Sequence, residues 1–506
     1  MGPPLLDLES ASGWARGVLD ATSGRVWWWA AGGVLVLGGA AAGLHLPTSG
    51  SWFWHLANGE LIHTHGLTGS ARYLAHPGAT LDLRSWLADF GLALIYRSGG
   101  LAGLAVAGAV GGALVGSGLL LAARAVGRVH PLLVVGEGGL GLAALAPVLS
   151  DLSAELLALL GVGLLLALRA AGRGGWWGIG ALVALVVLWT NVQADAAVAV
   201  LVIWGWLVVA HWDSSRAGRP PAPSWWLIPL TGAALLVSPR GIGALGGLPL
   251  SLGMQGEHPL LAAWSSIDFH PWSARAAELA GLVLLLSYWL AGSQLRRSDA
   301  YLGLLTAALA LIWSNYLPWL LVVAAAQSCW YLSVDWLPGN KRSGPASEST
   351  GAGGSRRKLV SWAALLPVLL VVVLLGSGVA AAARDGGVNQ QARAQLPIQA
   401  TRWLAAHPVG GAWFTTPQFG DYLSSQFPAG RHLLCVDDPV PMAGRALGQC
   451  EELTVFDSGA LKTLRSLGAR LAILPRAAPA ATFLLAEGWE IRYRDPTTVI
   501  LAPRNL

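Results

Sequence analysis

From Val26 to Ala383 the chain repeats one pattern, an apolar run of roughly bilayer length closed by charges, proline or a polar cluster. About eleven such runs fall near 26–46, 101–123, 131–150, 153–172, 176–190, 194–212, 225–238, 276–295, 300–314, 316–334 and 359–383. Inside a bilayer every backbone polar group must be paired within its own segment, so the pattern predicts a polytopic α-helical membrane protein. The charges between the runs set its direction. With residues 1–25 in the cytoplasm, fifteen Arg and Lys, among them Arg124, Arg169, Arg296 and Arg297, fall on the cytoplasmic side. Only Arg72, Arg84, Arg97, Arg240 and Arg275 fall on the other. That bias, measured on short loops, fixes the orientation, and an odd number of spans puts everything after Ala383 outside.

Composition agrees. Charged residues make up 12% of the chain, against about 25% in soluble domains. The basic balance therefore reports loop arginines and gives no case for nucleic acid. Trp27 to Trp29, Trp176 with Trp177, and Trp225 with Trp226 stand at run ends, where indoles favour the headgroup level. Gly108, Gly112 and Gly116 lie four apart on one helical face, a ridge that lets helices approach closely. The first run reads as an uncleaved signal anchor, because the polar start before it lacks a cleavable leader's form. Three cysteines exclude a disulfide framework; Cys435 and Cys450, both in the external tail, either pair or remain free thiols.

Three regions stand apart from the 26–383 membrane domain's spans. The external loop 47–100 is expected to carry one amphipathic helix on the membrane surface, including Trp52, Trp54, His55, Leu61 and Ile62 and ended by Gly66. It is expected to carry a second, interfacial or re-entrant helix over 83–96, broken by Gly99 and Gly100. The loop 239–275 holds Arg240, Glu257, Asp268 and His270, and 336–358 reads as a cytoplasmic linker ending in a basic cluster. Residues 384–506 change to alternating strands and helices. Helices are expected at 398–405, 418–426, 460–467 and 480–486; strands at 412–415, 432–436 and 471–474, with a hairpin of 489–493 and 498–501 turning at Asp495 and Pro496. That makes a small α/β extracytoplasmic domain without a glycine-rich nucleotide loop.

Several short motifs carry a family resemblance. Trp54-His55-Leu56 with Gly59-Glu60, Trp86-Leu87-Ala88-Asp89, Tyr96 with Gly99-Gly100, Trp189-Thr190-Asn191-Val192-Gln193 and Ser238-Pro239-Arg240-Gly241 stand in the membrane region. Phe419-Gly420-Asp421-Tyr422-Leu423 and Gly488-Trp489-Glu490 stand in the tail. In these pieces and in its layout the chain resembles the GT-C superfamily of membrane glycosyltransferases, especially bacterial relatives of dolichyl-phosphate-mannose protein mannosyltransferases. The resemblance implies a bacterial plasma-membrane enzyme that moves a sugar from a polyprenyl-phosphate carrier to an envelope acceptor on the outer face. A divalent cation is an option within that superfamily. The chain departs from the pattern at three ionisable positions. Ser49 and Ser51 replace an acidic residue before the Trp-His-Leu, Arg84-Ser85 replaces a His-Glu, and Gln193 replaces a His. The competing expectation is thus a catalytically inactive scaffold or lipid-binding subunit of a membrane complex.

Transfer from a lipid phosphate needs a base for the acceptor and positive charge for the departing phosphate. Among the external carboxylates, which include Asp82, Asp151, Glu155 and Asp195, Glu60 and Asp89 are the candidate bases; the plain alternative for each is a solvated or capping carboxylate. Arg240 and Arg275 are candidates for a forked phosphate contact, with interfacial snorkelling as the alternative. His55, Asn191, Gln193 and Asp268 complete the substrate-binding candidates. No metal site is expected: His63 and His65, two apart on a helix, point to different faces, and His55 lies too far along it.

Overall fold

The computed structural model describes residues 25–332 and 396–504 apart from gaps, the longest of them 247–269 and 437–448. The expected span at 359–383, the linker 336–358 and Asp151, Glu257 and Asp268 lie outside the described residues. Helices α1 (Arg25–Gly43), α2 (Ser51–His65), α3 (Trp86–Arg124), α4 (Pro131–Leu145), α5 (Leu152–Ala171) and α6 (Trp176–Val192) come first. They are followed by α7 (Ala196–Arg216), α8 (Leu227–Leu235), α9 (Trp272–Ala291), α10 (Arg297–Ile312) and α11 (Leu317–Leu332). Each of the ten apolar runs before residue 335 thus carries a helix, and α1, α3 and α7 are long and apolar enough by themselves to cross a bilayer. At nine residues α8 is shorter than its apolar run, yet that run still extends along α7. Trp225 packs on His211 late in α7, while the Val237 carbonyl accepts from Asn191 at the end of α6.

Residues Leu317 to Tyr331 of α11 are all buried, which makes this helix the axis of the bundle. Around it, α3 turns Val106, Val110, Leu114 and Leu121 outward as an exposed apolar stripe suited to lipid. Trp29, Trp176, Trp177 and Trp226 are exposed as well. On its inward face, a Cβ at Gly108, Gly112 or Gly116 would strike the backbone carbonyl of Gly43, Gly39 or Leu35. The glycine ridge therefore lets α3 lie backbone to backbone on α1. The interfacial helix expected over 83–96 is continuous with the following span as α3, and the break reduces to a kink at Gly100, φ 57° and ψ −147°. Only glycine adopts that conformation without strain.

The C-terminal domain comprises α12 (Ile398–Ala406), β1 (Ala412–Thr415), α13 (Pro417–Gln426), α14 (Ala460–Ser466), β2 (Ala469–Pro475), α15 (Pro479–Ala486), β3 (Trp489–Arg494) and β4 (Thr498–Pro503). Its sheet runs β1-β2-β4-β3, with β1 parallel to β2 and the other pairs antiparallel. Asp495 holds the hairpin turn, its Oδ1 accepting from the Thr497 and Thr498 amides at 2.8 and 2.7 Å. The strand expected at 432–436 is reduced, among its described residues, to bridges at Leu433 with Trp413 and Leu74. Cys435 and Cys450 form a disulfide with Cα atoms 5.5 Å apart, resolving the two alternatives in favour of pairing.

The helix expected on the membrane surface is instead held inside the protein. Trp52, Phe53, Trp54, Leu56 and Ala57 of α2 are buried, because α3 covers one side and α13 the other. Phe53 meets Tyr422 of α13 edge to face at 5.0 Å, and the Leu433 amide donates to the Tyr73 carbonyl at 3.0 Å. The helix ends as expected at Gly66, with φ 74° and its amide donating to Ile62.

Candidate functional site

The site forms where α2 crosses the start of α3. Gly59 permits the crossing, since a Cβ there would strike the Asp89 backbone carbonyl. His55 and Asn58, three apart and so on one helical face, then reach the Asp89 carboxylate together. With Asp89 ionised, His55 Nδ1 donates to Oδ1 at 2.6 Å, Asn58 Nδ2 to Oδ2 at 2.6 Å and Ser85 Oγ to Oδ1 at 3.0 Å. Asp89 is 0% exposed, whereas His55, stacked on Trp54, keeps 15% of its side chain at the surface. Burial raises the Asp89 carboxyl above the ordinary carboxylate range, although the His55 charge and the bonds from His55 and Asn58 oppose that rise.

A second charged pair adjoins the first. Asp82 Oδ1 accepts from the Arg84 amide at 2.9 Å, and both oxygens accept from the Arg84 guanidinium at 2.8 to 3.0 Å. Asn58 links the pairs by also donating to the Asp82 carbonyl at 2.6 Å. Burial alone would raise the Asp82 carboxyl; the charge and hydrogen bonds of Arg84 outweigh it, and the net direction is down. Arg240, after α8, stands in the field of both residues. Its guanidinium donates to the Gly243 carbonyl, and burial followed by repulsion from Arg84 lowers its pKa. Trp86 Nε1 donates to Asn191 Oδ1 at 2.7 Å, and Asn191 Nδ2 donates to the Val187 and Val237 carbonyls, tying α3, α6 and the end of the α8 run into one wall.

Of the residues singled out from the sequence, Asp89, His55, Asn191 and Arg240 thus belong to one connected region. Glu60 faces away from it, half exposed in an ion pair with Arg97 at 3.1 Å. Gln193 is buried in the turn after α6, where Asp195 accepts from Trp189 Nε1 at 3.0 Å. Arg275 is exposed in the first turn of α9, while the charged neighbours of Arg240 are Arg84 and Asp82. Sequence reasoning assigned no role to Asn58 or Ser85. The available signal was spacing, since Asn58 follows His55 by three and Ser85 precedes Asp89 by four.

The donor set does not fit a divalent cation. Both Asp82 oxygens are taken by Arg84, and those of Asp89 by His55, Ser85 and Asn58. Nor does any group of three His, Cys, Asp or Glu converge among the described residues.

A helical bundle with a polar cluster at one end and an α/β domain packed on the first loop is a fold this chain shares with solved oligosaccharyltransferase and ArnT structures. The oligosaccharyltransferase of Archaeoglobus fulgidus in its apo form superposes with a TM-score of 0.59 at 12% identity, covering 89% of this chain and 70% of that one. The archaeal oligosaccharyltransferase AglB from the same organism, in complex with an inhibitory peptide and a dolichol-phosphate, gives 0.53 at 12% over 88% and 69%. ArnT from Cupriavidus metallidurans, bound to undecaprenyl phosphate, gives 0.50 at 13% identity over 97% and 98%. No protein-family profile matches the sequence, and neither does any curated protein.

Proposed function

We propose that this protein is a multi-pass glycosyltransferase of the plasma membrane that moves a sugar from a polyprenyl-phosphate carrier to an envelope acceptor on the outer face. The observation that carries the reading is the His55 to Asp89 pair beside Arg84 and Arg240, within a fold whose solved members include complexes with dolichol-phosphate and undecaprenyl phosphate. In this reading His55, not Asp89, meets the acceptor, because it alone of the pair reaches the surface. The acceptor hydroxyl attacks the anomeric carbon as its proton passes to His55, and the bond from that carbon to the phosphate oxygen breaks. Asp89 orients the ring and balances the imidazolium charge, and Arg240 with Arg84 stabilises the departing phosphate. Glu60 takes no part.

The saturation of Asp89 and the neutralisation of Arg84 by Asp82 favour a second reading, a GT-C-fold scaffold or lipid-binding subunit of a membrane complex. Transfer or hydrolysis of labelled polyprenyl-phosphate sugars by the purified protein in nanodiscs separates the two. Turnover lost in His55→Ala and kept within about twofold in Glu60→Gln, as expected for a surface pair, supports the enzyme. No turnover with any donor by the folded wild type supports the scaffold.

A further inference from the structure

A second polar site lies at the other end of the bundle. Asp89 precedes the Gly100 kink of α3 and Ala125 follows the helix's last turn; from the kink to Arg124 alone α3 runs about 36 Å, more than the thickness of a bilayer core. Ala125 lines a cavity of about 360 Å³ together with Arg169, Arg296, Asp299, Trp330 and Tyr331. Its floor is organised. The Arg169 guanidinium carbon lies over the Trp330 ring, 3.6 Å from its centroid, and Nη1 lies 3.7 Å from Asp299 Oδ2; the Tyr331 hydroxyl donates to that same oxygen at 2.7 Å. The Arg296 amide donates to the Tyr331 hydroxyl at 3.2 Å, which leaves its exposed side chain at the rim.

Two guanidinium groups therefore border the cavity against one carboxylate. An ion network that served only to lock helices would close over its own volume, yet this one borders a space within the range of small-ligand sites. The remaining wall is apolar, from Leu165 and Leu168 of α5 and Leu302 of α10. Positive charge, an aromatic floor and an aliphatic wall suit an anion attached to carbon. We propose that this cavity binds a phosphate-bearing headgroup between Arg169 and Arg296, on the face opposite the His55 cluster. The ligand's source is either an anionic lipid of that leaflet or a soluble phosphoester.

Native mass spectrometry of the full chain, loaded with phosphatidylglycerol or phosphatidylcholine and challenged with glycerol 3-phosphate, tests this. Wild type is expected to retain phosphatidylglycerol at least about fivefold over phosphatidylcholine, and Arg296→Gln to lose most of that preference. Because the Arg296 side chain is at the rim, the lipid-free melting temperature of this variant should match wild type. Arg169→Lys, which keeps the charge but loses the fork, should weaken retention further. Displacement by glycerol 3-phosphate identifies a soluble phosphoester, and failure to displace identifies the lipid. Equal retention of the two lipids with no binding of glycerol 3-phosphate, or an Arg296→Gln variant that binds as wild type does, overturns the proposal.

Discussion

Replacing Asp89 by Asn should inactivate the site through the tautomer of His55 rather than through collapse of the fold. The carboxylate accepts from His55 and Ser85 on Oδ1 and from Asn58 on Oδ2. An amide offers one oxygen and one NH₂, so its orientation is decided by these neighbours. With the oxygen at Oδ1, the NH₂ faces the Asn58 amide, donor against donor. With the oxygen at Oδ2, Asn58 keeps its acceptor and the NH₂ donates to Ser85 Oγ and to His55 Nδ1. Only the second arrangement keeps His55, Ser85 and Asn58 all bonded to the new amide, and it requires His55 to carry its proton on Nε2. The imidazole then presents a donor where the reaction needs a base.

The expected loss is about 10²–10⁴-fold in kcat, the usual worth of a positioned general base. Stability should change by no more than about 2 kcal/mol, since each charge-assisted bond becomes a neutral one while a buried charge is removed. Single-turnover transfer in nanodiscs reads the rate, and a melting curve reads the fold. His55→Ala should cost about as much as Asp89→Asn, with the double variant no slower than the worse single, because the residues act as a unit. An Asp89→Asn enzyme within threefold of wild type would show that Asp89 only supports α2, and the assignment of His55 as base would fall with it.

Further outcomes follow from packing and charge. Arg84→Ala leaves Asp82 buried without its partner and should cost about 3–5 kcal/mol, part of which the Asp82→Ala, Arg84→Ala double variant restores. The folded Asp82 carboxyl titrates below its ordinary value, so the pair's stabilisation is present above about pH 4 and is lost as pH falls through the folded pKa; acid melting curves of wild type should show that loss and those of Arg84→Ala should not. Gly112→Ala drives a methyl into the Gly39 carbonyl and should lower the melting temperature in detergent by the equivalent of about 1–3 kcal/mol, whereas Gly139→Ala, whose Cβ meets nothing within 4 Å, should not. Cys435→Ser, or reduction, opens a 15-residue loop and should destabilise the C-terminal domain by about 3 kcal/mol, read as earlier proteolysis of that domain.

The helices and most C-terminal strands were legible because apolar length and alternation are local signals, and the Gly100 kink because only glycine relieves that backbone. The placement of α2 was not. Trp52, Trp54, Leu61 and Ile62 look the same in sequence whether they meet lipid or protein, and only the fold supplies α13 as their cover. The charged neighbours of Arg240 were not legible either: the fold brings Arg84 and Asp82 to it from a distant loop. Asp82 and Arg84 were both visible, but their forked pair depends on a loop conformation that spacing does not determine. The Leu433 segment has a strand's composition, yet it lies between Trp413 and the Tyr73 carbonyl and forms only isolated bridges.

The burial of α2 also joins two independent arguments about direction. Charge counting places Arg124, Arg169 and Arg296 on one side and Arg84 and Arg240 on the other. The fold keeps these groups together, with Arg169 and Arg296 around one cavity and Arg84 in the field of Arg240. The disulfide supplies a second vote, since Cys435 and Cys450 pair in a domain that an oxidising compartment suits. That domain packs through α13 directly on the helix that carries His55. The His55 cluster therefore lies on the same side as the disulfide, which in the proposed function is the extracytoplasmic face. Fixed between α3 and α13, α2 holds its imidazole without the entropy loss that a loop-borne base would meet on binding, as a site that works by pre-organisation requires.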